Sequence, residues 1–210
     1  FTTIDKNVEI GEGTWIGSNV TIMEGSRIGK NCSIFPGAVI AAVPQDLKFK
    51  GEDTLAVIGN NTTIRECVTI NRGTSDRQLT KIGNNCLFML GSHIGHDCQL
   101  GNGIILANNA ALAGHVSLGD NVTIGGLSGV HQFVRIGEGA FIGALSMVAK
   151  DVIPFGMVYG ERAKLMGLNL VGLRRSGTNN KQIKELKSVY DNIFFDQKTF
   201  NKKISNIDDI

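Results

Sequence analysis

The segment VEIGEGTWIGSNVTIMEGSRIGKNCSI (8–34) carries a large aliphatic residue at every sixth position. These residues are Ile10, Ile16, Ile22, Ile28 and Ile34. The register extends outward in both directions from this segment, and between Ile4 and Val148 it fails only at Asp46, Glu52 and Asp76. A chain that is 42% hydrophobic would fill fewer than half of these slots by chance. The six-residue period is therefore the dominant organising feature of the sequence.

A six-residue period fits neither an α-helix nor a single alternating strand. Gly often follows the aliphatic residue, for example at Gly11, Gly17 and Gly29, where it permits a tight corner. The pattern predicts a parallel β-helix in which each hexad supplies one short strand and one corner, and three hexads form a triangular coil of 18 residues. Proteins with this hexapeptide repeat coil left-handedly. We take the expected hand from that resemblance, since the spacing does not give it.

Two polar stretches interrupt the repeat and then resume it in register. Asp46 and Glu52 fall in residues 41–57, and Asp76 falls in residues 71–81. We predict that both stretches are loops extruded from a coil. Loops on a rigid scaffold are where binding and catalytic residues concentrate, so these two are candidate site elements.

The repeat stops after Val148, and Pro154 marks the change. Residues 179–195 place apolar side chains on one helical face. We therefore predict a left-handed β-helix over residues 1–154 and an α-helical C-terminal domain over residues 155–210, which we expect to be incomplete.

Composition and charge exclude several classes of protein. The net charge of +2 is too balanced for a dedicated nucleic-acid binder, so we expect no nucleic-acid partner. No apolar run reaches about 18 residues, so we expect no membrane span. The four Cys form no CxxC pair, which argues against a zinc ribbon or a redox motif. A cytoplasmic protein with reduced thiols is the expectation.

All four His lie between residues 93 and 131. Counted on an 18-residue coil, His93, His96, His115 and His131 fall near one corner on three successive coils. The residue stacked one coil beyond His96 is Gly114, which leaves space and an accessible backbone N–H. Two chemistries stay open at this point. Three His from adjacent chains could bind Zn²⁺, as in the gamma-class carbonic anhydrases, or one His could act as a general base for acyl transfer.

Several longer segments resemble the UDP-N-acetylglucosamine O-acyltransferases, the first enzymes of lipid A synthesis. They are QDLKFKGE (45–52), TIRECVTINRGT (63–74), HIGHDCQLGN (93–102), ANNAALAGHVSLGD (107–120), IGGLSGVHQFVRIG (124–137) and GLNLVGLRRSG (167–177). The resemblance implies a homotrimer of left-handed β-helices that moves an (R)-3-hydroxyacyl group from acyl carrier protein to the 3-OH of UDP-N-acetylglucosamine, with no cofactor and no metal. The alternatives are the related N-acyltransferase of the same pathway, which carries a separate N-terminal uridine-binding domain, and a carbonic-anhydrase-like zinc protein.

The resemblance also assigns catalytic roles to three residues. His96 matches the general base that takes the proton from the sugar hydroxyl, and histidine is the side chain that most often serves in that role. Asp97 would fix the imidazole tautomer. The backbone N–H of Gly114 would stabilise the oxyanion.

Further residues match substrate-binding positions of that family. They are His93, His115, His131, Gln132, Gln45, Asp46, Lys48, Asn71, Arg72, Asn169 and Arg175, with Ala144 expected to limit the length of the acyl chain. Val171 and Asn71 depart from the Glu and His that some members carry there. Counted on the 18-residue coil, Asn71 falls on another face from the His cluster, which predicts sites shared between subunits.

Overall fold

The computed structural model describes residues 1–195. Its strands, in chain order, are β1 (Thr3–Ile4), β2 (Glu9–Ile10), β3 (Trp15–Ile16), β4 (Thr21–Ile22), β5 (Ser26–Ile28), β6 (Ser33–Ile34), β7 (Val39–Ala42), β8 (Leu55–Ile58), β9 (Thr63–Ile64), β10 (Thr69–Asn71), β11 (Leu79–Ile82), β12 (Leu87–Phe88), β13 (His93–Ile94), β14 (Gln99–Leu100), β15 (Ile105–Leu106), β16 (Ala111–Leu112), β17 (Ser117–Leu118), β18 (Thr123–Ile124), β19 (Gly129–Val130), β20 (Arg135–Ile136), β21 (Phe141–Ile142), β22 (Met147–Val148), β23 (Gly156–Tyr159) and β24 (Lys164–Leu168). Two helices follow, α1 (Leu170–Arg175) and α2 (Asn180–Phe195).

The strands stack into three sheets that form the walls of a triangular prism. The first sheet has the order β1-β4-β7-β10-β13-β16-β19-β22, and the second has the order β2-β5-β8-β11-β14-β17-β20. The third sheet runs β3-β6-β9-β12-β15-β18-β21-β23-β24. From β1 to β22, each strand therefore pairs in parallel with the strand three places along the chain, and the predicted left-handed parallel β-helix is confirmed.

The aliphatic residue of each hexad points into the prism. Residues such as Ile22, Ile64 and Leu106 are fully buried, and they stack in columns with their counterparts in neighbouring coils. Burying a side chain of this size contributes roughly 1.5–3 kcal/mol relative to leaving it exposed. Each short strand is thus held by its neighbours along the stack, which gives a rigid scaffold for the corners.

Both interruptions of the repeat leave the prism between the first and second sheets. The first loop (43–54) joins β7 to β8, and the second loop (72–78) joins β10 to β11. The flanking strands extend into the polar stretches 41–57 and 71–81 at both ends, so each loop is shorter than the stretch predicted from the sequence.

The face assigned to Asn71 by coil counting is wrong. Thr69 pairs with Val39, 30 residues earlier, and with His93, 24 residues later, because each loop adds residues to its own coil. A count by 18 therefore assigns the residues between the two loops to the wrong sheet when it is continued from the coils on either side. With that offset, Asn71 lies at the end of β10, one coil from His93 on the same sheet.

The region after residue 154 is not wholly helical. β23 pairs in parallel with β21, and β24 then turns back to pair antiparallel with β23, so the third sheet continues to Leu168. Both helices come after it, and Leu173 of α1 and Ile183 of α2 are buried. Among residues 1–195, no helix has the length and apolar character needed to cross a membrane. The part of the C-terminal prediction that falls on residues 196–210 lies outside the described residues.

Candidate functional site

The four His meet where the first and second sheets join, as coil counting predicts. We call residues 95–98, 113–116 and 131–134 the histidine corner. His93 lies on β13, just before the first turn of this corner. Because β13 pairs with β16 and β16 pairs with β19, the three turns of the corner stack directly on one another. The first and second loops leave the prism at this same edge. The histidine side chains and the two extruded loops therefore share one edge of an otherwise regular solenoid.

His96 and Asp97 form a buried hydrogen-bonded pair. His96 Nδ1 lies 2.8 Å from Asp97 Oδ2, and the two residues are 8% and 0% exposed. An ionised carboxylate only accepts hydrogen bonds, so Nδ1 carries the proton and donates it to Asp97. The other ring nitrogen, Nε2, keeps its lone pair and is the basic atom of the pair.

Asp97 stays charged in spite of its burial. Burial alone would raise its pKa, but hydrogen bonds from the side chain of Thr74, from His96 and from the Thr74 backbone, together with the nearby His115, hold that pKa below its usual value. Its backbone adopts a positive φ of 59°, and its N–H donates to Thr80 Oγ1 at 2.9 Å. The carboxylate is thus a fixed anion beneath the imidazole.

Gly114 lies directly against the basic side of His96. A Cβ added at residue 114 would approach His96 Nε2 to 2.5 Å, so only glycine leaves room for the ring in this position. Among the described residues, no acceptor binds the backbone N–H of Gly114. A free N–H next to a basic nitrogen is the arrangement that oxyanion stabilisation requires.

His115 packs on the other side of the pair. Its ring meets that of His96 edge to face at 5.0 Å and stacks on Phe133 at 4.5 Å. Its Nδ1 lies 3.3 Å from Asp76 Oδ2, and its Nε2 lies 3.7 Å from Asp97 Oδ2. Burial lowers the pKa of His115, although both carboxylates act against that shift. A neutral His115 is therefore favoured, held between two carboxylates.

His93 and His131 border the pair along the first sheet. His93 Nδ1 lies 2.7 Å from Thr69 Oγ1, and burial, followed by the nearby His96, lowers the pKa of His93. His131 is exposed, and its Nδ1 lies 3.1 Å from the backbone oxygen of Gln132. The rings of His93 and His131 line an open groove on the first sheet and do not cover the His96–Asp97 pair.

A cleft of about 580 Å³ gives access to His96. We call it the site cleft, and it is lined by Gln45, Asp46, Leu47, Lys48, Asn71, His93, Gly95, His96, Ala113, Gly114 and Gln132. Eight of these eleven residues are site residues predicted from the sequence. The cleft thus brings the first loop, the end of β10 and the histidine corner together around one basic nitrogen.

Comparisons with known proteins agree with this geometry. Residues 7–42 and 115–150 match the family model "Bacterial transferase hexapeptide (six repeats)", and residues 151–210 match the model "Udp N-acetylglucosamine O-acyltransferase; Domain 2". The structure of LpxA from Acinetobacter baumannii superposes with a TM-score of 0.91 at 40% identity, covering 97% of this chain and 86% of that one. The chain belongs to the UDP-N-acetylglucosamine O-acyltransferase family.

Two further members of this acyltransferase family are also similar. The UDP-N-acetylglucosamine acyltransferase of Francisella novicida superposes with a TM-score of 0.94 at 41% identity, covering 98% of this chain and 76% of that one. The curated O-acyltransferase of Paracoccus denitrificans is 52% identical over 153 residues, which are 72% of this chain and 59% of that protein. The first curated relatives are matched over about 60% of their own length.

Four residues that the family resemblance singles out lie away from the site cleft in this chain. Asn169 caps α1, with its side chain accepting from Gly172 N and donating to Gly139 O, both at 2.9 Å. Arg175 is exposed in the last turn of α1. Ala144 is exposed on the corner between the third and first sheets. The guanidinium of Arg72 lies 5.5 Å over the Phe49 ring and donates to Glu24 O.

Sequence reasoning made the second loop a candidate site element but did not name the three residues of that loop that contact the histidine corner. Thr74, Asp76 and Arg77 contact Asp97 or His115, yet Asp76 counted only as a break in the repeat. The sequence offered one indication of their role, which is that all three residues lie in the loop where the hexad repeat is interrupted. Coil counting gives the place where such a loop leaves the prism, but it does not give the direction in which the loop folds.

His96, Asp97 and His115 each offer a ligand atom, and these atoms lie within 4.8 Å of one another. Asp97 Oδ2 already accepts hydrogen bonds from Thr74 Oγ1 at 2.6 Å and from His96 Nδ1 at 2.8 Å. A cation at this point would have to displace both donors. The arrangement suits proton transfer better than metal binding.

The cysteines offer no alternative nucleophile in the described part of the chain. Cys32, Cys86 and Cys98 are buried in the inward slots, and burial raises the pKa of Cys98 to about 12. Burial also raises the pKa of Cys86. Cys67 is exposed, and it lies on the corner between the third and first sheets, away from the histidine corner.

Proposed function

We propose that this chain transfers an (R)-3-hydroxyacyl group from acyl carrier protein to the 3-OH of UDP-N-acetylglucosamine. The observation that carries the proposal is the His96–Asp97 pair, whose free Nε2 meets Gly114 inside the site cleft. Family membership supplies the expected reaction, and the cleft supplies a general base, a fixed anion behind it and an unpaired N–H.

In the proposed reaction, His96 Nε2 takes the proton of the sugar 3-OH as that oxygen attacks the thioester carbonyl. The C=O electrons move onto oxygen, and the Gly114 N–H donates to the oxyanion. When the oxyanion collapses, the C–S bond breaks and the thiolate leaves with the proton that the imidazolium returns. Asp97 stabilises the imidazolium without taking its proton.

The substrates are expected to occupy two connected spaces. Gln45, Asp46, Lys48 and Asn71 line the site cleft together with Gln132, and their polar groups suit the sugar nucleotide. A second groove of about 400 Å³ shares His93 and Ala113 with that cleft and runs over small and aliphatic residues of the first sheet to Met147. Such a groove suits an acyl chain. Ala144 precedes Met147 by three residues, on the corner that leads into the strand of Met147, and is proposed to limit chain length.

The proposed assembly is a homotrimer with sites between subunits. Asn169 and Arg175, which the family places on the nucleotide, lie away from the cleft in one chain, so a neighbouring subunit would have to supply them. Exposed Leu90, Leu127 and Leu145 occupy one corner on separate coils and would be covered in such an assembly. Light scattering at assay concentration tests this proposal, and a fully active monomer would contradict it.

Acyl carrier protein, an acidic partner, is proposed to dock on the C-terminal region. Arg174, Lys181, Lys184 and Lys187 are exposed there. Such attraction weakens as salt increases. We expect KM for the carrier thioester to rise across a salt series and after charge reversal at Lys181 and Lys184. A KM that responds to neither change would contradict the docking proposal.

The deciding experiment is an acyl-transfer assay with a 3-hydroxyacyl carrier thioester and UDP-N-acetylglucosamine. Transfer to this acceptor supports the proposal. Transfer only to the free amine of a 3-O-acylated UDP-glucosamine would identify the related N-acyltransferase instead. Zinc retained after purification together with CO₂ hydration would favour the carbonic-anhydrase alternative. The cytoplasmic location stays a prediction.

A further inference from the structure

The second loop binds both oxygens of the Asp97 carboxylate. The backbone N–H of Thr74 donates to Oδ1 at 3.0 Å, and its hydroxyl donates to Oδ2 at 2.6 Å. The backbone N–H of Arg77 adds a longer bond to Oδ1 at 3.3 Å. Asp97 is fully buried and Thr74 is 6% exposed, so water does not compete for these contacts. The loop therefore fixes the rotation of the carboxylate.

The direction of the Thr74 hydroxyl is also fixed. Its oxygen accepts from the backbone N–H of Asp76 at 3.3 Å, which leaves its single proton for Asp97. The loop around it is anchored to the prism, because Thr54 Oγ1 donates to Gly73 O at 2.6 Å and Gly73 N donates to Leu55 O at 3.1 Å. Thr74 thus presents a preset donor to Asp97.

This donor acts on the same oxygen that binds the imidazole. Oδ2 of Asp97 accepts from both Thr74 Oγ1 and His96 Nδ1. The Thr74 side chain is among the groups that lower the pKa of Asp97. If the hydroxyl were absent, Oδ2 of Asp97 would be held less firmly, the carboxylate could rotate, and its hydrogen bond to His96 Nδ1 would weaken.

We propose that Thr74 is a positioning residue for the reaction, holding Asp97 so that His96 keeps its proton on Nδ1 and its lone pair on Nε2. This proposal rests on the proposed function, since it concerns how the same general base is prepared. Thr74 touches neither the site cleft nor the basic nitrogen, and it acts through Asp97.

The test compares Thr74→Val with Thr74→Ser and with Thr62→Val. Valine removes the hydroxyl at nearly constant volume, and serine keeps it. Thr62 is a fully buried threonine of the coil, whose hydroxyl contacts groups of residues 60, 83 and 86 at the corner between the second and third sheets, away from the histidine corner. Thr62→Val therefore controls for the loss of a buried hydroxyl in this solenoid.

We expect Thr74→Val to lower kcat about 10-fold to 100-fold, because a hydrogen bond to a buried charge is lost, with KM for UDP-N-acetylglucosamine nearly unchanged. The acid limb of its kcat–pH profile should move to lower pH, since a carboxylate that turns away from His96 stabilises the imidazolium less. Thr74→Ser should restore both parameters, and Thr62→Val should leave both unchanged. Equal kcat and pH profiles in Thr74→Val and the parent protein would overturn the proposal.

A second measurement does not depend on activity. The protein has only four His, so ¹⁵N-labelled histidine gives a resolvable set of ring signals. We expect the parent protein and Thr74→Ser to show His96 as the Nδ1–H tautomer, and Thr74→Val to show a mixture. An unmixed Nδ1–H signal in Thr74→Val would overturn the proposal even if the parent catalysed no transfer. If Thr74→Val does not fold, Thr74→Ala takes its place in both measurements.

Discussion

The asparagine corner (59–62, 83–86, 101–104 and 119–122), where the second and third sheets meet, has the same backbone course as the histidine corner. Its side-chain oxygens accept backbone N–H groups of the preceding coil. Asn84 Oδ1 accepts the backbone N–H of Asn60 at 2.7 Å, and Asn102 Oδ1 accepts that of Asn84 at 2.8 Å. Asp120 continues the ladder by accepting from Asn102 N at 2.7 Å. Each coil of this corner is therefore capped by the next.

The equivalent positions of the histidine corner are His96, Gly114 and Gln132. Gly114 has no side chain, and within residues 1–195 the side chains of His96 and Gln132 cap no backbone N–H of the neighbouring coil. The positive-φ position, occupied by Asn61 and Asn85 in one corner, holds Asp97 and His115 in the other. The left-handed conformation costs most L-residues roughly 1–2 kcal/mol, and Asn tolerates it better. The solenoid thus gives up local stability at one corner and recovers part of it from the second loop.

The largest test of this comparison is His96→Ala. Loss of a general base should lower kcat by about 10²–10⁴-fold. The matched change in the other corner, Asn102→Ala, removes a capping oxygen and should lower the free energy of unfolding by about 1 kcal/mol while leaving kcat unchanged. Acyl-transfer rates and denaturant titrations of both variants check this. Similar rate losses in the two variants would remove the functional distinction between the corners.

Gly114→Ala should cost activity more than stability. The added methyl group would meet the His96 ring, and a displacement of about 1 Å can cost on the order of 10²-fold in rate. Gly119→Ala in the asparagine corner would instead meet the backbone of Glu138 at 2.6 Å and should lower the melting temperature. Transfer rates normalised to folded protein decide the matter, and a fully active Gly114→Ala enzyme would contradict the proposed placement of His96.

The corner between the third and first sheets should affect specificity, with a smaller effect. If Ala144 ends the acyl groove, Ala144→Met should favour shorter donors and Ala144→Gly longer ones. Each methylene left unburied loses about 0.8 kcal/mol, or roughly fourfold in preference per carbon. Competition between carrier thioesters of mixed length measures this. An unchanged length profile in both variants would place the limit elsewhere.

The smallest expected effect is on the pH dependence of stability. Burial lowers the pKa of His93 in the folded protein below the value of about 6.5 for an unfolded chain. The resulting stability is fully present above that unfolded value and is lost as the pH falls through the lower folded pKa. His93→Gln should therefore flatten the decline in the free energy of unfolding between pH 7.5 and 5. An equal slope in the variant and the parent would show that His93 does not contribute to it.

The hexad pattern predicts the prism well because each strand contacts its neighbours through one repeated aliphatic position. Coil counting places His93, His96, His115 and His131 at one edge, since no insertion separates them. The same counting fails for Asn71, because the coils on both sides of it carry added residues. A periodic argument holds only where the period is unbroken.

The remaining errors have a similar physical origin. The strands β23 and β24 lack the hexad repeat, and their pairing depends on the tertiary edge that β21 offers. Thr74 and Asp76 reach the site through a loop whose path is set by contacts with Asp97 and His115, which are themselves distant in sequence. Such contacts follow from the folded surface and have no local sequence signal.

The reversal of chain direction at β24 also determines how the solenoid ends. A parallel coil presents an unpaired row of backbone groups after its last strand, and such a row can recruit another chain. Here β24 covers β23, Val152 bridges to Ile136 on the second sheet, and Ala163 N donates to Met147 O at the end of the first sheet. Chain without the hexad repeat thus contacts the last strand of the first and second walls and adds an antiparallel strand to the third. It occupies the place where a further coil would stack, which disfavours end-to-end growth of a strongly repetitive sequence.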